Sequence, residues 1–326
     1  MKKILAISII AALSVIAFLM MPQKKETQLN YRLKWLFNTS VAGDIYADAK
    51  GYFKEAGLIV EIKEGSPEKN AINELELGYA DFGVASADQV IRALDKGAKI
   101  VVIAQLFQIN PMQWMYRADQ PEIKTLKDLK GRRIGITFGG NDETIMKTLL
   151  AKGGIQPSEV TLTGVRFDFT PFFKREVDVW PVYRNSQGVI LSDRLAKEGE
   201  SVFFFNPADH GINFVANSVI TTREKVEKNP KQVDQFLTAL LKGWEAAMDP
   251  ANESDVLAAV KKLDKGTQGE IRKEQLTVTR QLIKPHLSSR IGTIDIFAWK
   301  QTESIMLNEK QIKKPVNIEN HLIQIN

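Results

Sequence analysis

The stretch from Glu74 to Phe107, ELELGYADFGVASADQVIRALDKGAKIVVIAQLF, contains the unit from which the chain is built. A helical segment ends at a glycine, and an aspartate then introduces the apolar strand DFGVAS. The helix ADQVIRALDKG and a second apolar strand, KIVVIAQLF, complete the unit. Short apolar strands that alternate with helices are typical of an α/β fold with largely parallel sheets.

A second series of the same kind follows in the chain. PFFKREVDVWPVY (171–183) repeats the order of ELELGYADFGVAS (74–86): a helix, an acidic residue, a turn, an aspartate and an apolar strand. The strands RRIGITF, VTLTGV and SVFFFN and the helices NDETIMKTLLAKGG and SQGVILSDRLAKEG belong to this series. Two such series predict two similar lobes, each with its own sheet.

The residues before the opening unit predict one more strand and two helices. RLKWLFN (32–38) has apolar residues at every second position and is predicted to be the first strand. A helix is expected over residues 44–56, ending at Gly57, before the strand LIVEI. In SPEKNAINELELG, Ser66 is expected to cap a helix and Pro67 to occupy its first turn.

After Thr222 the pattern changes to helices alone. In NPKQVDQFLTALLKGWEAAMDP, Asn229 stands at the cap position and Pro230 fits the first turn. Apolar residues at helical spacing form one stripe, which predicts a core-facing surface: Val233, Phe236, Leu237, Leu240, Leu241 and Trp244.

Length and composition indicate a globular protein that does not bind nucleic acid. With 326 residues, 44% of them hydrophobic and 25% charged, the chain has room for two ordinary domains. The net charge is +5, and the Lys and Arg residues are interspersed with Asp and Glu. A nucleic-acid binder would normally concentrate its positive charge on one helix or arm.

The residue types of the chain argue against metal and thiol chemistry. The sequence has no cysteine, which excludes disulfides, thiolate nucleophiles and a lipid anchor attached to a cysteine. Its three histidines, His210, His286 and His321, lie far apart and in no ligand spacing. We therefore expect neither a transition-metal site nor a cofactor.

The N-terminus, residues 1–28, is predicted to be a signal peptide or a membrane anchor. A short positive start precedes an uncharged run over residues 4–21. Cleavage after Ala17 is one interpretation, although the cleavage motif is poor. An uncleaved span is the other, since the run is just long enough to cross a bilayer. Either way, the remaining chain is expected outside the cytoplasm.

The sequence carries no recognised catalytic motif, and we therefore predict that the protein is not an enzyme. G-x-S-x-G, G-x-x-x-x-G-K, H-E-x-x-H and G-x-G-x-x-G are all absent. In ITFGGND, Gly139, Gly140 and Asn141 join a strand to a helix. Their amides could hold an anionic or carbonyl group, or the segment is simply a tight turn.

Ligands of open α/β sheets bind beyond the carboxyl ends of the strands, and this rule selects the candidate loops. These loops combine aromatic residues with short polar side chains, which suits a flat, largely neutral ligand. They are FNTSVAGD (37–44), SADQ (86–89), FQINPMQW (107–114), FGGND (138–142), WPVYRNSQ (180–187) and FNPADHGIN (205–213).

Trp180 and Tyr183 form the most suggestive pair in these loops. They lie at a strand end beside a proline, where a purely internal position would leave the indole N–H and the phenol O–H in need of partners. We expect at least one of them to contact ligand. His210 has two interpretations, as a ligand contact or as an ordinary loop histidine.

Several segments together resemble the thiamine-pyrimidine-precursor group of transporter solute-binding proteins, a wider set that includes sulfonate and taurine binders. The resemblance covers most of the chain from about Tyr31 to Trp244. It rests on GYFKEAGLIVEI, ELELGYADFGVASADQVIRA, KIVVIAQLFQ, TLKDLKGRRIGI, HGINFVANSVITT and NPKQVDQFLTALLKGWEAAM.

The resemblance implies a type II periplasmic-binding-protein fold with two lobes that close on a ligand. Residues 29–115 and 217–326 would form lobe 1, and residues 116–216 would form lobe 2. The lobes would be joined by two crossing strands, near 114–117 and 214–220. The expected partners are a small-molecule ligand and an ABC permease in the inner membrane, and the chain itself is expected to be a monomer.

Relatives in this group place an asparagine-rich loop after the first strand and aromatic residues in the second lobe at the ligand. Asn38, Thr39, Trp180 and Tyr183 match those stretches, whereas Asn185 stands where an acidic residue is common. Together, the loops and the resemblance predict these ligand-binding residues: Asn38, Thr39, Ser86, Gln108, Trp114, Gly139, Gly140, Asn141, Trp180, Tyr183, Asn185 and His210.

Two other functions compete with transport. A membrane-anchored sensor that signals ligand without transporting it would use an uncleaved N-terminus. The group also resembles fungal pyrimidine synthases, but those enzymes carry a cysteine-rich motif that this chain lacks.

Overall fold

The computed structural model describes residues 27–66, 68–138, 140–165, 168–286 and 288–325. The run at residues 4–21, predicted as a signal or an anchor, lies outside the described residues, as does Gly139. Within the described ranges, no helix is both long enough and apolar enough to cross a bilayer.

The first sheet has five strands in the order β2-β1-β3-β10-β4. Strand β1 pairs in parallel with β2 and β3, whereas β10 is antiparallel to both β3 and β4. The strands are β1 (Thr27–Arg32), β2 (Leu58–Lys63), β3 (Phe82–Ala85), β4 (Ile100–Gln105) and β10 (Ser218–Thr222).

The second sheet repeats this plan in the order β7-β6-β8-β5-β9. Strand β6 is parallel to β7 and β8, and β5 lies antiparallel between β8 and β9. The strands are β5 (Met112–Arg117), β6 (Arg133–Ile136), β7 (Thr161–Gly164), β8 (Val179–Tyr183) and β9 (Val202–Phe205). The antiparallel strands, β10 in the first sheet and β5 in the second, are those that the chain enters directly after leaving the other sheet. The predicted α/β fold with two similar lobes is confirmed.

The helices surround the two sheets and continue beyond them. They are α1 (Ala42–Ala49), α2 (Tyr52–Glu55), α3 (Ala71–Glu76), α4 (Ala87–Asp95), α5 (Asn141–Lys152), α6 (Thr170–Phe173), α7 (Gln187–Lys197), α8 (Arg223–Lys228), α9 (Pro230–Met248), α10 (Glu253–Leu263), α11 (Gly269–Ile283) and α12 (Ile296–Asn308). We call the first sheet with α1–α4 and α8–α12 lobe 1, and the second sheet with α5–α7 lobe 2.

The segments that join the lobes are not regular strands, contrary to the prediction. The predicted crossing at 114–117 belongs entirely to β5, which pairs with lobe 2 from Met112 onward. The second predicted crossing, at 214–220, runs into β10 of lobe 1. The chain instead passes between the lobes in the segments 106–111 and 206–217, which belong to no strand of either sheet. The second segment includes a short 3-10 helix, Pro207–His210.

These two hinge segments are hydrogen-bonded to each other. The amides of Leu106 and Phe107 donate to the carbonyl oxygen of Asn217 at 3.0 and 3.3 Å. The side-chain amide of Asn110 donates to the carbonyl oxygen of Phe214 at 2.9 Å. The two connections therefore form one joined hinge rather than two independent linkers.

The core of lobe 1 is built on the predicted stripe of α9. The Phe236 ring stacks on Phe82 with 3.8 Å between centroids, and Phe53 and Tyr31 lie 5.5 and 5.1 Å from it. Trp244 from the same helix is fully buried. This long C-terminal helix thus supplies the centre of the N-terminal lobe.

Three local predictions between residues 32 and 70 were wrong. The first strand is β1, ending at Arg32, because its pairing with β2 begins at Thr27. The helix expected over 44–56 is interrupted at Gly51, whose φ of 74° breaks the helical path. Helix α3 is capped by Asn70, which accepts a hydrogen bond from the amide of Asn73, and not by Ser66.

Candidate ligand-binding cleft

A cleft of about 410 Å³ lies between the two lobes. The loops of lobe 1 contribute Lys34, Trp35, Asn38, Ser40, Val41, Ser86, Asp88, Gln89 and Arg92. Lobe 2 contributes Met112, Thr137, Gly140, Asn141, Asp142, Val165, Phe169, Trp180, Pro181, Val182, Tyr183, Ser186 and Gln187, and the hinge contributes Asn217.

The position of the cleft follows from the topology of the sheets. Strands β1 and β3 of lobe 1 hold the same places in their sheet as β6 and β8 in lobe 2. The loops at the carboxyl ends of these four strands supply most of the lining. Central parallel strands whose carboxyl ends meet are the usual location of a ligand site in such sheets.

Aromatic rings form the lobe 2 wall. Trp180 is only 1% exposed, and its ring lies 6.0 Å from Phe169 and 5.8 Å from Phe172. It therefore packs in the core of lobe 2, although it also borders the cleft. Tyr183 is half-buried, and Trp35, at 36% exposure, lies in the opposite lobe.

The polar groups of the lobe 1 wall are held by local hydrogen bonds. Ser86 caps α4 with Gln89 in a capping box, and its hydroxyl donates to Asp88 at 2.5 Å. Asp88 also pairs with Arg92 one turn along the helix. The side-chain oxygen of Asn38 accepts from the amide of Ser40 at 2.8 Å. These bonds fix the polar side chains before any ligand arrives.

A buried carboxyl group stands at the start of α5 in lobe 2. Asp142 is 4% exposed and accepts from the amide of Thr137 at 2.5 Å. Burial raises the pKa of the Asp142 carboxyl, although the Thr137 amide opposes this change. The carboxyl therefore braces the turn that carries Gly140 and Asn141 into the cleft.

Lys34 and Tyr183 connect the lobes across the cleft. The Lys34 ammonium donates to the Tyr183 hydroxyl at 2.9 Å and lies 5.4 Å from the centroid of its ring. Burial lowers the pKa of the Lys34 amine, but the Tyr183 side chain and the Asp88 carboxylate outweigh it, so that the pKa is raised overall. The cleft therefore holds a protonated amine at its lobe interface.

Further contacts join the lobes on both sides of the cleft. On one side, Gln275 of α11 accepts from the Thr39 hydroxyl at 3.0 Å and donates to the Ser186 carbonyl at 3.4 Å. On the other, Gln311 accepts from Arg92 at 2.9 Å and donates to the Thr144 hydroxyl. Contacts of this kind on both sides of the cleft correspond to a closed arrangement of the lobes.

The structure brings together six of the predicted residues in the cleft lining: Asn38, Ser86, Gly140, Asn141, Trp180 and Tyr183. Their contact with a ligand stays a prediction. Gly139 lies outside the described residues.

Three predicted residues are engaged in internal contacts away from the cleft lining. The Trp114 indole is fully buried and donates to the carbonyl oxygen of Gly135 at 3.0 Å. Thr39 is fully buried and bonded to Gln275, as described above. Asn185 donates to the Thr279 hydroxyl at 3.0 Å. Trp114 supports the lobe 2 core, Thr39 bonds within lobe 1, and Asn185 joins lobe 2 to α11 of lobe 1.

Two more predicted residues lie at other places. Gln108 borders a separate crevice of about 180 Å³ behind the hinge. The His210 ring stacks on Phe205 at 4.8 Å, and burial lowers the pKa of its imidazole. Across the described part of the chain, no three His, Asp or Glu side chains are grouped so that they could hold a metal ion.

Several residues that line the cleft lie outside the candidate loops predicted from the sequence. Lys34 and Trp35 were assigned to a strand, and Arg92 stands a full turn into α4. Phe169 and Asn217 lie in irregular segments that the rule on strand ends does not select. Lys34 and Trp35 would have fallen in a candidate loop only if β1 had been predicted to end at Arg32.

Comparison with known families matches residues 38–253 to the family described as NMT1/THI5 like. The chain belongs to the NMT1/THI5-like family. The match begins within the first cleft loop and ends just after α9, so it includes both hinge segments and every cleft-lining residue except Lys34 and Trp35.

Curated relatives in and around this family are similar over most of the chain. A protein of Haemophilus influenzae named for thiamine biosynthesis is 27% identical over 68% of this chain and 69% of its own length. The formylaminopyrimidine-binding protein of Halalkalibacterium halodurans is 24% identical over 88% of this chain and 87% of its own. A Saccharomyces cerevisiae hydroxymethylpyrimidine phosphate synthase is 24% identical over 63% of this chain and 62% of its own.

Solved structures show the same fold. The periplasmic aliphatic sulphonate binding protein of Escherichia coli matches with a TM-score of 0.72 and 17% identity, covering 93% of this chain and 94% of that one. The NMT1/THI5-like chain therefore has the periplasmic-binding-protein fold that its sequence predicted.

Proposed function

We propose that this protein is an extracytoplasmic solute-binding protein of an ABC importer, which captures a small, flat, pyrimidine-like molecule between its lobes. The observation that carries the proposal is the cleft of about 410 Å³, bordered by loops of both lobes. Sites for small molecules in proteins typically have volumes of this order and combine apolar walls with a few polar groups.

The two walls favour a flat heterocycle. Trp180, Phe169 and Tyr183 give this wall aromatic surface against which a flat ring can pack. The facing lobe offers hydrogen-bonding groups, among them Ser86 and the Lys34 ammonium. A pyrimidine presents a ring face to the first wall and ring nitrogens to the second. The relative named for formylaminopyrimidine binding supports this class of ligand.

Capture is proposed to operate by hinge closure. A ligand that touches both walls gains its full set of contacts only when the lobes are together, so binding shifts the population toward the closed form. The hydrogen bonds from Lys34 to Tyr183 and from Gln275 to Ser186 form in that form and must break on opening. The neutral bond contributes about 0.5–1.5 kcal/mol and the bond from the Lys34 ammonium about 1.5–3 kcal/mol, which still permits reversible opening.

The proposed setting is the outer side of the cytoplasmic membrane. The chain is exported by its N-terminal segment, works as a monomer and delivers ligand to a membrane permease. The apolar run of residues 4–21 supports export, either as a cleaved signal or as a retained anchor. We propose no catalytic step, since the chain has none of the cysteines of the synthase motif.

Mass spectrometry of small molecules released from denatured, freshly purified protein tests the ligand class. We expect a pyrimidine or a closely related heterocycle in the released fraction. Titration of the emptied protein with that compound should then reduce its radius of gyration in X-ray scattering. A released alkanesulfonate, or a radius that stays constant at saturation, would contradict the proposal. Sizing chromatography checks the monomeric state.

A further inference from the structure

A second cavity adjoins the cleft within lobe 1, and we call it the side pocket. Its volume is about 250 Å³, and its lining shares Lys34, Trp35 and Gln89 with the lining of the cleft. The rest of its lining comes from β3, from α3 and from the residues that precede α3: Ser66, Asn70, Ala71, Ile72, Val84 and Ala85. Because three residues border both cavities, a ligand in the cleft has a direct path into the side pocket.

The side pocket has an apolar part and a polar part. Ile72, Val84 and Ala85 are buried and give it an apolar wall. Asn70 and Gln89 are only half-buried and bring a carboxamide each. The apolar wall suits a short alkyl chain, and the hydrogen bonds of the two carboxamides decide which polar group suits the rest.

The carboxamide of Asn70 has only its NH2 group left for a ligand. Its oxygen accepts from the backbone amide of Asn73 at 2.9 Å and so caps α3. A backbone amide can only donate, which fixes the oxygen on that side and the NH2 group on the other. The NH2 group has no hydrogen-bond partner among the described residues, and it is not enclosed by protein.

The carboxamide of Gln89 is fixed in the same way. Its oxygen accepts from the backbone amide and from the hydroxyl of Ser86, both at 3.1 Å, in the capping box of α4. Its NH2 group likewise lacks a partner within the described ranges and stays accessible. Two donors from different helices therefore remain beside the side pocket.

Lys34 adds a positive charge where the two cavities adjoin. Its ammonium has three N–H donors, and the bond across the cleft uses one of them. The Asp88 carboxylate of the cleft is already paired with Arg92. Glu68 holds the Ser66 hydroxyl but is exposed and does not line the side pocket. The unused groups at the side pocket are thus hydrogen-bond donors with one positive charge.

We infer that the side pocket binds an acid arm of the ligand, a short alkyl chain that ends in a carboxylate. A carboxylate has acceptors alone, which matches donors from Asn70, Gln89 and Lys34. Hydrogen bonds to an ionised acceptor are about twice as strong as neutral ones. The inference rests on the proposed function, which places the ring in the cleft, and adds a second recognised group to the ligand.

The test measures the binding of three probes by calorimetry: pyrimidine, 3-(pyrimidin-5-yl)propanoate and 3-(pyrimidin-5-yl)propanamide. The last two have nearly the same shape and differ in the charge of the arm. We expect the wild type to bind the propanoate about 10- to 100-fold more tightly than the propanamide, the range of charge-assisted hydrogen bonds.

Asn70→Asp and Gln89→Glu remove the donors and keep the caps. Each variant retains the oxygen that accepts from the backbone and replaces the NH2 group by a second carboxylate oxygen. Repulsion should then abolish the preference for the propanoate. Asn73→Asp is the matched control, because it adds the same charge to α3 at an exposed position outside both linings, and it should keep the preference.

The outcomes separate this inference from the proposed function. A wild type that binds pyrimidine but does not favour the propanoate overturns the side pocket and leaves the proposed function standing. A preference that survives in both Asn70→Asp and Gln89→Glu also overturns it. A wild type that binds none of the three probes contradicts both proposals.

Discussion

The buried carboxyl of Asp44 should make the stability of this protein fall as the pH rises. Asp44 is fully buried in lobe 1, and the Tyr31 hydroxyl donates to its Oδ1 at 2.6 Å. Its Oδ2 has no partner among the described residues, and none of the described Lys or Arg side chains pairs with it. Burial raises the pKa of the carboxyl from 3.8 to about 7, although the Tyr31 bond opposes this change.

The sign and size of the effect follow from this pKa. The folded protein holds the Asp44 proton more tightly than the unfolded chain does, so the contribution is fully present in acid. This contribution is lost as the pH rises from 3.8, the pKa of the carboxyl in the unfolded chain, through its pKa of about 7 in the folded protein. The whole change corresponds to about 4 kcal/mol. About 2–3 kcal/mol of it falls between pH 5 and pH 8.

The perturbation is Asp44→Asn, which keeps the shape of the side chain and removes its titration. Denaturant unfolding at pH 5 and pH 8 measures the free energy of unfolding. Between pH 5 and pH 8, the free energy of unfolding of the wild type should fall by about 2–3 kcal/mol more than that of the variant. Asp255→Asn, at a carboxylate with 66% exposure, is the matched control and should leave the wild-type profile unchanged. Parallel profiles for the wild type and Asp44→Asn would refute the reasoning.

Three further changes test the packing. Trp180→Ala should lower the free energy of unfolding by about 3–5 kcal/mol in a thermal melt, because the ring is fully buried. A nearly unchanged melting temperature would mean that the ring belongs to the cleft and not to the core of lobe 2. Gly43→Ala should prevent or strongly weaken folding, since an added Cβ would lie 2.0 Å from the Trp244 ring, and wild-type stability would contradict that contact. Arg117→Ala should cost about 1.5–3 kcal/mol, because it removes a fully buried guanidinium that donates to the Phe172 carbonyl oxygen at 2.8 Å and pairs with Glu200. Glu200 keeps Arg175 as a partner, and a loss below about 0.5 kcal/mol by denaturant unfolding would disprove this.

The regular part of the fold could be predicted because each element carries its own pattern. The strands β2 to β4 and β6 to β9 and the helix α9 appear where apolar periodicity placed them, whereas the segment of β5 was expected to be a loop and a crossing between the lobes. The first strand was misplaced since TQLNYR and RLKWLFN both alternate, and only pairing with β2 decides between them. The crossings were misplaced for a related reason. An apolar segment around Trp114 would suit either a sheet strand or a connection between lobes, and only its hydrogen bonds with β8 and β9, which are distant in sequence, decide between them.

The candidate site could be predicted only where strand ends specify it. Asn38, Ser86 and Asn141 follow strands and reach the cleft lining. Trp114 and Asn185 had suitable side chains, but their orientation depends on partners elsewhere in the chain, Gly135 and Thr279. No local pattern encodes such contacts.

The return of β10 into the first sheet has a consequence for the order in which the chain folds. Lobe 2 runs continuously from Met112 to Phe205, so its sheet can close as soon as that stretch has been made. Lobe 1 starts earlier but must wait for β10, which lies between β3 and β4, and for the Phe236 ring of α9. The lobe synthesised first is therefore completed last. Until then the edges of β3 and β4 that β10 will cover stay unpaired.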